Sequence, residues 1–432
     1  MTVRTIVSSL SVAAGMAACA DGVAPAITLD SVSQSTAQIV TISYTLTNAP
    51  AVVTFSMETN GAAGWVRIDP AALRTAQGDV NRLVAVGQRT IKWKPYRDFK
   101  GVQIGENGAR AVVTAWPTNN PPAYLVVDLA DGSKRYYESE DRLPYGGVLS
   151  NDIYRTSQLV MRKVIAKGVT WTMGSVAETG RTAAYEKLHV VTLDENYYLA
   201  VFPLTQRQHA LIKGSAPTVR WQVDGDMRPS DVVTRVDCVG SVAAGMPDPT
   251  SDSICGKLKN RTGIDFNLPG EAHWEFAARA GCGEGYWPVG TGDVAMAIAS
   301  NVDANLPGRY RGNGGWPADS LDVNNIPNSS LGADRATAIV GSYAPNRWGF
   351  YDMCGNVREW CRDWWKDDIS GDGGAIVADK VSQNHFAYRG GCVGDTAQDC
   401  RPARRWMAGE GAKWSSYSQF WGVRLWAPCD AR

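Results

Sequence analysis

Histidine is scarce in this 432-residue chain, with four residues, widely spaced, at 189, 209, 273 and 385. HExxH, CxxC, P-loop and GxSxG signatures are all missing, so the sequence does not read as a zinc or triad hydrolase. Net charge is missing as well. Lysine plus arginine number 43 and aspartate plus glutamate 43, so no overall field recommends nucleic acid or an anionic membrane as a partner. Beyond the N-terminus no segment approaches the roughly 20 consecutive apolar residues that span a bilayer. No internal repeat at a fixed period is visible.

Glycine and tryptophan are abundant instead. There are 44 glycines and 16 tryptophans, and Trp348, Trp360, Trp364, Trp365, Trp406, Trp414, Trp421 and Trp426 crowd the last fifth of the chain. An aromatic core threaded with tight turns is expected there. Apolar residues make up 44% and charged residues 20%, which is ordinary globular composition at a length that suits two or three domains. Residues 1–20, MTVRTIVSSLSVAAGMAACA, begin with one basic residue, Arg4, pass through small apolar residues and end in Ala18-Cys19-Ala20. That pattern predicts a secretory signal cleaved after Ala20, with MAAC loosely resembling a lipoprotein box, and so a secreted or cell-surface protein. Eight cysteines then remain, at 238, 255, 282, 354, 361, 392, 400 and 429. Disulfides are permitted in such a compartment, and free buried thiols are an equally good reading.

Residues 22–129 alternate in period two. In IVTISYTLT, Val40, Ile42, Tyr44 and Leu46 share one face, and Val53, Phe55 and Met57 do the same in VVTFSME. TIKWKPY and ARAVVTAW continue the pattern, predicting a small Ig-like antiparallel β-sandwich. Residues 130–150 are charged and punctuated by Gly and Pro, which suits a linker. From 151 to 432 short strands, long loops and brief helices are expected. Thr205 and Gln208 form a capping box that opens one helix, with Gly214 as its stop. A second helix is expected in PGEAHWEFAARAG, where His273 reads as a packed or capping histidine rather than a base.

Five ordered stretches carry the strongest signal. They are TWTMGS (170–175), YYLAVFPLTQRQHALIKG (197–214), NLPGEAHWEFAARAG (267–281), NRWGFYDMCGNVREWCRDWW (346–365) and the run from YRGGC through CRPARR to WGVRL. Together they resemble the formylglycine-generating enzyme (sulfatase-modifying factor) family. The resemblance implies an α+β fold: a loop-rich, C-type-lectin-like domain preceded here by the small β-sandwich. It also implies bound calcium, with Asp352, the carbonyls of Gly355 and Val357, and Glu359 as ligands. Hard oxygen ligands from one short loop suit Ca²⁺. Asn301 fits a second calcium site, for which residues 332–334 supply no matching aspartate.

The family's oxidases hold copper between two cysteines at the fourth and ninth positions after a double glycine. Here Gly390-Gly391 are followed by Asp395 at the fourth position and Cys400 at the ninth. Cys400 is therefore a catalytic half-site. Cys392 takes the family's active-site serine position, and Arg358 replaces a tryptophan that lines the substrate groove. One thiolate beside a carboxylate suits Cu(I) poorly, so copper is not expected. Cys392 and Cys400 stay open as a disulfide, a rearranged redox pair or unpaired thiols. If arginines 401, 404 and 405 flank Cys400, its pKa would fall; the plainer reading of these arginines is packing. Cys354 and Cys361 would lie about 10 Å apart across a helix, too far for a bridge.

The reading favours a ligand-binding module over an oxidase or a structural adhesion component. Cys392, Asp395, Arg358, Trp406, Trp414 and Tyr417, with Phe420, are its expected contact residues for a protein or glycan ligand. Loops of aromatics among small polar residues suit adaptable recognition. A sharper version is the retroelement-diversified variable-protein subtype, with CVGD at 392–395 as rewritten residues.

Overall fold

A computed structural model describes residues 9–10, 23–62, 64–98, 108–218, 225–241, 248–290, 292–299, 302–313, 336–379, 384–409, 411 and 420–431. They form two compact units, one of residues 1–126, 134–151 and 429–432 and the other of 127–133 and 152–428.

The first unit is the expected sandwich. One sheet runs in the order Ala26–Gln34, Val40–Thr47, Gly87–Trp93, Gln77–Gly78; the other pairs Ala51–Gly61 with Ala109–Pro117, Gly64–Arg67 and Arg82–Val84. Val40, Ile42, Tyr44 and Leu46 are buried against Val53, Phe55, Met57, Trp93 and Val113 in one core. The strand from Ala51 departs from strict alternation, because Thr54 and Ser56 are buried too. Their face is covered by the segment expected to be a linker. Within 134–151 the chain forms a strand, Lys134–Tyr137, buries Tyr136, Leu143 and Val148, and donates from Tyr136 N to Asn81 O at 2.8 Å. Thr54 Oγ1 donates to Glu138 and accepts from Trp116 Nε1. Its charged residues hid the buried tyrosines that make this run part of the first compact unit.

In the second unit the strands Gln158–Val164, Tyr197–Ala200 and Trp426–Pro428 pair antiparallel in that order. A four-stranded sheet runs Trp406–Gly409, His385–Arg389, Arg358–Trp364, Trp421–Gly422. The helix Gln206–Lys213 has both bonds of the Thr205/Gln208 capping box and ends at Gly214 in the left-handed region. The helix Glu271–Arg279 starts after Gly270, and all nine of its residues are buried. Two further helices, Arg235–Val239 and Ile254–Thr262, start at Thr234 and Ser253; these caps were readable in the sequence, and the short helices behind them were not recognised. No helix among the described residues is long and apolar enough to cross a membrane.

Candidate functional site

The strand His385–Arg389 ends at Gly390 and Gly391, with φ of 87° and 68°. Both need glycine. A Cβ on Gly391 would lie 2.7 Å from Cys400 Sγ, and one on Gly390 3.1 Å from the Trp274 ring. The turn that follows is closed by Asp395, whose carboxylate accepts from Cys392 N at 2.9 Å while its own N–H donates to Cys392 O at 3.0 Å. A short 3₁₀ turn, Ala397–Cys400, then brings Cys400 Sγ to 4.0 Å from the Cys392 carbonyl.

The two departures at Asp395 and Arg358 meet each other. Arg358 Nε donates to Asp395 Oδ2 at 2.9 Å and Nη2 to Oδ1, a fork-on-fork pair in which each residue is only 8% exposed. The rings of Tyr388 and Trp421 each lie 5.3 Å from the guanidinium carbon. Burial alone would lower the Arg358 pKa, but the Asp395 carboxylate raises it well above the ordinary value. The two positions at which the sequence departs from the family resemblance thus meet as a buried ion pair.

All eight cysteines of the described residues are buried and outside any disulfide, so Cys392 and Cys400 are not bridged to each other. Cys361 lies in the Arg358–Trp364 strand and Cys354 in the loop before it, with no helix between them. Burial pushes the Cys400 thiol well up, and the Asp395 carboxylate pushes it further. Cys392 is raised for the same two reasons. The lowered pKa expected from Arg401, Arg404 and Arg405 is therefore overturned, because these arginines are committed elsewhere. They belong to a chain of alternating charge: Arg405–Glu271–Arg389–Glu275–Arg279–Glu178–Arg401–Glu186–Arg404–Asp399, each adjacent pair between 2.7 and 3.6 Å. Packing is their role. Copper fits the site poorly: at the family's two positions there is one protonated thiol and one carboxylate already held by arginine.

The loop expected to hold calcium is sharply bent. Asp352, Gly355 and Asn356 have φ of 55°, 96° and 67°. Asp352 is buried; Oδ2 accepts from Gly341 N at 2.8 Å, while Oδ1 has only the Asn356 side chain, beside it and short of good hydrogen-bond geometry. Burial raises its pKa to about 6, against the lowering effects of the Gly341 amide and Arg424. That orphaned oxygen suits a cation. Glu359 does not: Oε1 accepts from Arg424 Nη2 at 2.8 Å, and Oε2 from Arg424 Nε at 2.9 Å and Trp274 Nε1 at 2.6 Å. Of the expected set, Asp352 fits the ion, and Glu359 is occupied by an arginine.

The expected contact residues separate into two groups. Cys392, Asp395, Arg358 and Phe420 are interior, so residues 392–395 are a packed turn rather than a display loop. Trp406 is 37% exposed, its ring under the Arg404 guanidinium at 4.1 Å, and Met407 beside it is exposed as well. Trp414, Tyr417, Asn301 and residues 332–334 lie outside the described residues.

A formylglycine-generating enzyme from Thermomonospora curvata is 36% identical over 103 residues, 23% of this chain and 28% of that protein. The match thus spans less than a third of that relative's length. Among solved structures, PvdO from Pseudomonas aeruginosa is 22% identical with a TM-score of 0.46, covering 62% of this chain and 94% of that one. Treponema denticola variable protein 1 is 21% identical with a TM-score of 0.44, covering 63% and 95%. The profile of the sulfatase-modifying factor enzyme 1-like domain matches residues 152–427, and the chain therefore belongs to the formylglycine-generating-enzyme-like, sulfatase-modifying factor family.

Proposed function

We propose that this protein is a secreted or cell-surface ligand-binding module in which the family's lectin-like frame is retained and its oxidase chemistry is replaced by structure. The observation that carries this reading is the buried Arg358–Asp395 pair, which ties up one catalytic position while Cys400 stays a buried, protonated thiol. A thiol must ionise to act as nucleophile or metal ligand. The ligand is a protein or glycan that meets the surface beginning at Trp406 and Met407, where a large aromatic is half free and its cation partner holds the ring in place. Calcium binds through Asp352 Oδ1 and steadies the loop beneath the site, with Glu359 kept as a partner of Arg424 rather than as a ligand.

Two assays test this. Cu(I) titration of the purified chain, with formylglycine measured on a sulfatase-derived peptide, is expected to give neither tight binding nor turnover; both together would restore the oxidase reading. On a glycan and protein array, Trp406→Ala is expected to abolish the hits that wild type scores, and an unchanged profile would remove the proposed surface. The retroelement-diversified subtype rests on gene context: a near-copy of the last coding stretch beside a reverse transcriptase gene supports it, and the absence of both removes it.

A further inference from the structure

We propose that Asp194, Glu195 and His273 form a binding site for a first-row divalent metal ion, zinc(II) foremost, separate from the calcium loop and from the Cys392–Cys400 turn. Their ligand atoms all lie within 4.8 Å of one another. Glu195 Oε1 stands 3.6 Å from His273 Nε2. That is too long for a hydrogen bond and close to the edge of a tetrahedron built on bonds of about 2.1 Å, roughly 3.4 Å.

His273 is the second, independent observation. It is 3% exposed, yet neither ring nitrogen has a hydrogen-bond partner among the described residues. A buried imidazole without a partner is costly, and a buried one is neutral near pH 7, the form that binds metal. The ring is held in place. Tyr197 packs edge-on at 4.9 Å and its hydroxyl donates to His273 O at 2.6 Å. Gly270 leaves the necessary space, since a Cβ there would come within 2.9 Å of Nδ1.

The carboxylates are on a braced turn between the strands His189–Thr192 and Tyr197–Ala200. Leu193 N donates to Val169 O, and Asn196 Oδ1 accepts from Ala166 N and Lys167 N at 2.9 and 3.0 Å. Asp194 is exposed and Glu195 half-buried, so the site opens to solvent on one side while His273 closes the other. One imidazole and two carboxylates suit zinc or another borderline divalent ion, and three protein ligands leave a position for water. The Arg362 charge also reaches Glu195 and His273 and opposes the ion, so two carboxylates are needed against it.

The test is calorimetric titration of the full chain with Zn²⁺ in excess calcium, with Co²⁺ as a coloured probe. One zinc per chain is expected, with a cobalt spectrum of nitrogen and oxygen ligation lacking thiolate charge-transfer bands. Asp194→Asn and Glu195→Gln, both at the open side and so safe for folding, should each weaken binding by at least the tenfold or so that loss of an outer-shell partner costs. His273→Gln should abolish it. Absence of zinc binding, unchanged affinity in both surface variants, or a thiolate cobalt spectrum that persists in His273→Gln overturns the proposal.

Discussion

At the scale of single residues, Asp395 and Arg358 each departed from the family pattern in the sequence, and nothing in it said that one departure explains the other. Thirty-seven positions separate them, and only the fold sets guanidinium against carboxylate. Removing one partner strands a buried charge, so Arg358→Ala should cost about 3–5 kcal/mol in urea unfolding. The double exchange Arg358→Trp with Asp395→Cys should cost less than the sum of its single changes, a coupling that a double-mutant cycle measures. His209 makes a second residue-level prediction. Burial lowers its pKa from 6.5 to about 4, with Asp237 opposing, and its Nδ1 meets Ser230 Oγ at 2.9 Å. Above pH 6.5 it is neutral in both states. Below that the unfolded chain takes up a proton that the folded site refuses, so stability falls as pH drops from 6.5 towards 4, by on the order of 3 kcal/mol. His209→Gln should lose less stability than wild type between pH 7 and pH 4.5 in urea midpoints.

Among the elements, the helix Glu271–Arg279 and the arginine run 401–405 depend on each other. The helix was legible from its Pro-Gly entry and final glycine, but the partners of its two glutamates were not. Both are fully buried, and three arginines, two of them on other elements, account for them. Position in the charge chain should decide what each link is worth. Arg389, at 0% side-chain exposure between Glu271 and Glu275, is interior, whereas Arg404 at 10% is near an end. Arg389→Met should destabilise by several kcal/mol and Arg404→Met by about 1 kcal/mol or less, as measured by chemical denaturation. The capping box at Thr205 was legible in full because its partners are three residues apart. The strand of the supposed linker was not, because its hydrogen bond to Asn81 and its burial come from the far side of the sandwich.

For the whole molecule, the proposed calcium would couple to folding, since an ion that binds only the native loop stabilises it by mass action. Chelation should lower the melting temperature, and Asp352→Ala should lower it in calcium buffer and abolish the response to chelator; identical melting with and without chelator would remove calcium from the picture. The sequence by itself determined the two-part layout, the period-two sandwich and the family of the larger part, because these are written in local periodicity and ordered motifs. It also showed Asp395 standing where the resemblance expects a cysteine partner for Cys400. Only tertiary structure decided that Asp395 pairs with Arg358, that the arginines beside Cys400 belong to glutamates, that residues 392–395 are interior, and that His273 faces Asp194 and Glu195. Each of those depends on which distant charges are brought together out of water, where pairing is compulsory, and no local pattern encodes that choice.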